Sequence, residues 1–268
     1  MSELREMLKR LGRAWGWVVG QFGGVLLLLA LGLAWTRLPD KHGWQVALTL
    51  IVPLLLVLSM IELQAATTRA FASDDGRRVK MLWGAITLLV WATLFWVAWA
   101  VLDLCDARIP EWAGYLNSRF SAHARARVFT YAHLVQWMTY AEWALRWIVV
   151  PGKLTVCAVA SAQWGWRLVW KRLIRVLWNW RWWLGVVVAA LTGVLLPSHF
   201  FTGLPNGTVS HQVWAVMFKL AAAYVLGVGC WVLLLAWAAV LLDRTEHPVQ
   251  ADSELPLPEP VGDAGGEA

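Results

Sequence analysis

Five long apolar runs, separated by short clusters of charge, set the pattern of this chain. They cover Trp15–Trp35, Trp44–Leu63, Met81–Leu102, Trp182–Phe200 and Val213–Leu242. Each is roughly 20 residues or longer, enough for a helix to cross about 30 Å of hydrocarbon. The expected fold is therefore all-α, a polytopic integral membrane protein, because a spanning helix closes its backbone hydrogen bonds within itself.

A sixth span follows from charge. The loop from Thr67 to Lys80 carries Arg69, Arg77, Arg78 and Lys80, and the stretch after Gln163 carries Arg167, Lys171, Arg172, Arg175 and Arg181, so both are expected on the cytoplasmic side. The span that starts at Met81 exits on the other side, which requires an odd number of crossings between Leu102 and Arg167. One fits, and residues 128–150 are assigned to it, with Pro151, Gly152 and Lys153 read as the break that ends it. Residues 103–127 then form an outer loop of mixed charge. The result is about six transmembrane helices in residues 15–242, with both termini cytoplasmic.

Two flanking segments are expected on the inner surface. In residues 1–14, Leu4, Leu8 and Leu11 fall at helical spacing among Arg5, Lys9, Arg10 and Arg13, the pattern of an amphipathic surface helix. Residues 163–180 repeat the device, with Arg167, Lys171 and Arg175 on one stripe, Arg172 beside it, and Trp166, Trp170, Ile174 and Trp178 on the adjacent one. The tail, residues 243–268, is rich in acids, proline and glycine and is expected to be disordered. A nearly constant register relates Lys9-Arg10-Leu11, Gly23, Leu38-Pro39 and Gln45-Val46 to Lys171-Arg172-Leu173, Gly185, Leu204-Pro205 and Gln212-Val213, which suggests a duplicated hairpin.

Composition agrees with lipid as the solvent. Hydrophobic residues make up 59% of the chain and charged residues 15%, against roughly 25% charged in a soluble domain. The net charge is +6, and because the tail is acidic the membrane body is more basic still. Its lysines and arginines sit at the ends of apolar runs, where anionic headgroups lie, so the expected partner is the bilayer and anionic lipid, with other membrane subunits possible and nucleic acid excluded. Most of the 22 tryptophans fall near span ends, as an interfacial belt requires. The three cysteines lie in separate segments and form no CxxC pair.

Chemistry is expected where a span carries polar groups. In the fourth span His133, Gln136 and Tyr140 project to one side, and Glu142 and Arg146 stand four apart, acid first, where they can pair along the helix. Glu62 is read as snorkelling from within about one turn of the inner end of the second span. Asp103 and Asp106 are read as solvated loop acids, and His42, His123, His199 and His211 as loop histidines without ligand spacing. No GxSxG, HExxH or glycine-rich phosphate loop is present. The sequence thus points to a non-enzymatic accessory or scaffold subunit without metal or cofactor, binding partner helices and anionic lipid. The alternative is a small-solute or proton-coupled transporter built on the fourth span. A topology reporter fused after Asp103 should read outside, and one fused after Arg172 inside; any other pair of results removes the fourth crossing.

Overall fold

The computed structural model describes residues 2–37, 42–71, 81–164, 169–200 and 208–244, and every regular element among them is helical. Six of the helical stretches are long and apolar enough to cross a membrane. A short helix α1 (Ser2–Arg13) precedes the first spanning pair, α2 (Trp15–Trp35) and α3 (Gly43–Ala70). The second pair joins α4 (Met81–Arg119), through the single-turn α5 (Ala122–Arg127), to α6 (Tyr131–Ala144) and α7 (Val150–Trp164). A short α8 (Val169–Leu177) leads to the third pair, α9 (Trp180–Ala190) with α10 (Leu196–Phe200), and α11 (Val209–Arg244).

Pro151, read from the sequence as a helix break, and Pro197, within the expected fifth span, do not break their helices. Pro151 follows a π turn, Leu145–Val149, and Pro197 follows another, Leu191–Leu195, each proline standing two residues beyond the turn. Proline lacks an N–H and its ring crowds the carbonyl four residues earlier, here Trp147 and Gly193, both inside the π turns. The wider turn instead pairs Val150 N–H with the Leu145 carbonyl and Leu196 N–H with the Leu191 carbonyl, which relieves that crowding. The expected end of the fourth span at Val150 is therefore corrected: one continuous helical path runs Tyr131–Gln163 and beyond to Trp164.

The expected outer loop is also corrected. α4 continues through residues 103–119, packed antiparallel to α6 and α7, so the third span is far longer than the expected 81–102. Its register holds throughout. A Cβ on Gly84 would lie 3.6 Å from Ala162 Cα, Trp99 meets Trp147 with ring centroids 5.2 Å apart, and Asn117 Nδ2 donates to the Phe129 carbonyl at 2.7 Å. From Gly84 to Asn117 the hairpin is roughly 50 Å long at 1.5 Å per residue, against about 30 Å of hydrocarbon. The excess lies at the α5 end, where Ile109 and Ala113 are buried against the partner helix while Trp112, Tyr115 and Tyr131 stay exposed.

The best-packed region lies at the other end of the bundle, the basal end, where α1, α8 and the last turns of α7 and α11 meet. Val156, Val159 and Ala160 of α7 and Val232, Leu235, Ala236, Ala238, Ala239, Val240 and Leu242 of α11 are buried, with Phe71 beneath α1. The opposite half of α11 exposes Val209, Trp214, Met217 and Phe218. α1 is held down by charge. Arg10 reaches Asp243 at 2.5 Å and Glu6 at 3.4 Å and donates to the Phe71 carbonyl at 3.1 Å, while Glu3 faces Arg181 at 3.3 Å and Arg244 at 3.2 Å.

Met7 is buried and Leu11 packs on the core, whereas Leu4 and Leu8 stay exposed. The expected single lipid stripe of Leu4, Leu8 and Leu11 is thus split between protein and surroundings. α8 shows the same division: Leu173 and Val176 are buried, and Ile174 and Trp178 face outward.

α1 and α8 each precede a helical hairpin, the order the sequence repeat suggests, yet the packing of the two hairpins differs. A Cβ on Gly23 would meet nothing within 4 Å, whereas one on Gly185 would come within 1.6 Å of Trp237 Cζ3. Only glycine lets that indole lie across α9, beside the buried Trp182 ring at 6.2 Å. Gly185→Val should therefore destabilise the basal core by at least about 1–3 kcal/mol, read as a lower midpoint in detergent unfolding, while Gly23→Ala should leave that midpoint nearly unchanged.

Candidate functional site

The charged pair of the fourth span has a third member. Arg146 sits in the π turn between α6 and α7, with Glu142 one turn before it. Its Nε lies 2.5 Å from Glu142 Oε1, and its Nη2 lies 2.7 Å from Asp103 Oδ1 on α4. The guanidinium also stands over the Trp99 ring, 5.4 Å from its centroid. Glu142 Oε1 and the two Arg146 nitrogens approach closely without the alignment of directed hydrogen bonds, so the cluster is held by charge attraction. Asp103 is corrected from a loop acid to a partner of Arg146, because α4 continues past Leu102 and carries it on the face that meets α6.

Burial grades across the three. Glu142 and Arg146 keep 13% and 18% of their side-chain surface exposed, and Asp103 keeps 60%. Two carboxylates against one guanidinium leave one excess negative charge. Along α4, Met81 to Leu102 already spans about 30 Å, so Asp103 lies one hydrocarbon thickness from the basal end.

His133, Gln136 and Tyr140 lie farther out on α6 and are all exposed. Gln136 Nε2 donates to Tyr140 Oη at 2.8 Å, and His133 Nδ1 is 3.2 Å from the Val128 carbonyl with its ring stacked on Trp137. The structure joins Glu142 and Arg146, adds Asp103, and leaves these three as a separate outer patch. His42 takes part in a capping box with Gln45 at the start of α3. Among the described residues no group of three or more His, Cys, Asp or Glu side chains is placed to hold a metal ion.

Of the expected lipid-interface residues, Trp166 and Arg167 lie outside the described residues, and Trp170, Lys171 and Arg172 fall on α8, where their side chains are not described. Arg175 is exposed, and Trp178 is 88% exposed. Beside this helix the basal end holds a cleft of about 550 Å³ between α1, α9 and α11. Glu3, Trp180 and Arg181 stand at its charged mouth, and Leu184, Val188, Ala189, Thr192 and Leu233 line the slot beyond. From Arg181 to Thr192 the lining runs about 16 Å along α9 and the π turn after it. Asn179 caps that helix, its side chain accepting from Arg181 N–H, and the helix N-terminus adds positive potential at the mouth.

A polar seam inside the bundle has no counterpart in the expected site. Thr67 Oγ1 donates to the fully buried Gln21 Oε1 at 2.8 Å, and Trp231 Nε1 donates to Gln64 Oε1 at 2.8 Å. Together they tie α2 to α3 and α3 to α11. The sequence signal for the first bond was the isolated Gln21 in an apolar run, a residue type that seeks an interhelical partner in lipid; Gln64 stands just past the end of the second run.

Arg146→Met leaves Glu142 buried without its cation and should destabilise the protein by about 3 kcal/mol; Asp103→Asn removes a mostly exposed contact and should change stability by under about 1 kcal/mol. Equilibrium unfolding of both variants and of the double variant checks the order, and equal losses would show that Asp103, not Glu142, is the principal partner. Comparison of the chain with protein-family models, with curated proteins and with solved structures finds no match in any of the three.

Proposed function

We propose that this multi-pass membrane protein is a non-enzymatic accessory or scaffold subunit that holds a phospholipid at its basal end and offers helical surface to partner subunits. The observation that carries the reading is the basal cleft: a largely apolar groove about 16 Å long, lined by exposed Leu184, Val188 and Leu233, with Arg181 at one end. A phosphodiester at Arg181 would place its acyl chain against Val188 and Thr192, and the exposed Trp178 and Trp180 suit the headgroup level. By the charge rule this end faces the cytoplasm, where anionic lipid concentrates.

Transport is the second reading, favoured by the excess negative charge of Asp103, Glu142 and Arg146. Against it, the triad pairs internally, and His133, Gln136 and Tyr140 do not converge on it.

Purification in mild detergent followed by lipid extraction should recover about one phospholipid per chain. Val188→Trp, which fills the slot, and Arg181→Gln, which removes the cation, should each lower that recovery several-fold. Recovery unchanged in both variants would remove the lipid reading. Solute or proton flux in vesicles of the unmodified protein, lost in Glu142→Gln, would replace it with transport.

A further inference from the structure

Glu62 is the charged residue whose surroundings least resemble its sequence expectation. α3 runs to Ala70, two turns past Glu62, rather than ending within one turn of it. At 1.5 Å per residue the carboxylate is about 12 Å from that end, and the end itself is covered by α1 through Phe71.

The α2–α3 register fixes its depth independently. A Cβ on Gly24 would touch Leu63, a Cβ on Gly32 would lie 3.9 Å from Leu56 Cδ1, and Gln21 bonds Thr67. Glu62 is therefore level with Leu26, close to the midpoint of α2, whose 21 residues run from Trp15 to Trp35 and match one hydrocarbon thickness. A glutamate side chain is too short to reach either interface from that depth.

Its direction is equally defined. Ile61 and Ala65 are buried against Leu88 and Ala158, Leu63 meets Gly24, and Gln64 meets Trp231. α2, α4, α7 and α11 thus occupy the other sides of α3, and Glu62 projects outward, where it is exposed. No ion pair or hydrogen bond joins Glu62 to a described residue; Arg69, two turns farther along the same face of α3, is the cation of its own helix on that side, and the acid Glu142 and the cation Arg146 belong to the separate triad with Asp103. An ionised carboxylate at mid-membrane without a partner is costly against lipid, and a cation brought to it would be favoured there.

The flanking surface fits a helix. Leu55 and Ser59 precede Glu62 on the same face of α3, and both line a groove of about 360 Å³ between α2 and α3. By helical periodicity Gly16, Gly20 and Gly23 of α2 project to that side, and a Cβ on any of them would meet nothing within 4 Å. Small residues beside a polar side chain let another backbone approach closely and present a donor to the carboxylate.

We propose that the α2–α3 face centred on Glu62 is an intramembrane docking site for a partner's transmembrane helix carrying one basic side chain, lysine or arginine, at mid-depth. The partner's ammonium or guanidinium pairs with Glu62, and its backbone lies along Gly16, Gly20 and Gly23. Charge complementarity selects this occupant over lipid, whose charged groups lie at the interfaces. The inference names the partner site of the scaffold reading and rests on it, while using none of the residues of the basal cleft.

The test uses the full-length protein in phosphatidylcholine vesicles with a synthetic leucine–alanine transmembrane helix bearing a single central lysine. Energy transfer between labelled protein and labelled helix should show at least tenfold tighter association than with the same helix bearing leucine in that position. Glu62→Gln should remove most of that preference and Glu62→Leu all of it; both variants alter an exposed position and should fold normally, with lipid recovery at the basal cleft unchanged. Equal binding of the two helices, or a lysine preference that survives Glu62→Leu, overturns the proposal. Self-association of the unmodified chain that is lost in Glu62→Gln, without any lysine preference, overturns it in favour of a second copy. Loss of the cleft's phospholipid in Val188→Trp with the lysine preference intact separates the two sites, and absence of lipid from the unmodified protein would defeat the cleft reading while leaving this one standing.

Discussion

A helix surrounded by hydrocarbon has no water to complete its backbone hydrogen bonds, and this requirement bears on how the chain accommodates Pro151 and Pro197. Pro151 and Pro197 would each open a gap in a spanning helix. Both stand two residues beyond a π turn, where the carbonyl that the proline ring would strike belongs to a widened turn. Continuity of the helix through Pro151 joins α6 and α7 end to end, and α4 pairs with both from Gly84 to Asn117. Arg146 sits in the same π turn, so the adjustment that accommodates the proline also carries the cation toward Asp103.

Packing is unevenly shared between the two ends of the bundle. At the basal end small residues of α11, Ala236, Ala238 and Ala239, let α7 and α9 approach closely, and side chains there are almost fully enclosed. Toward the other end many large side chains, among them Trp112, Tyr115, Trp214 and Phe218, face outward. Polar groups follow a similar division: Gln21, Thr67, Gln64 and Trp231 pair between helices, whereas the acids and bases of the α4–α6 extension sit largely in the open. Enclosed packing is concentrated beside the basal cleft, and exposed helix surface toward the other end.

Much of this was legible in the sequence because hydropathy and length determine whether a segment can span. The starts and ends of α2, and the existence of α3, α4, α9 and α11, follow from their apolar runs. Residues 103–119 were not legible as helix, since their mixed charge resembles a loop until α6 is present to bury Ile109 and Ala113. Pro151 misled for a related reason: a π turn is a backbone accommodation without a strong residue signature. The Glu142–Arg146 pair was legible because both partners lie on one helix at a fixed spacing. The contribution of Asp103, and the depth of Glu62, depend on registers between helices that no local pattern encodes.

The contacts of α1 give the bundle an order of assembly. Glu3 and Arg10 face Arg244 and Asp243, residues separated from them by nearly the whole described chain. The carboxylate of Asp243 that faces Arg10, and one of the two cations around Glu3, are absent until α11 is in place. An intermediate lacking α11 therefore holds α1 only through Arg181 and the Phe71 carbonyl. The same ion pairs that fasten the finished bundle thus distinguish it from every incomplete form.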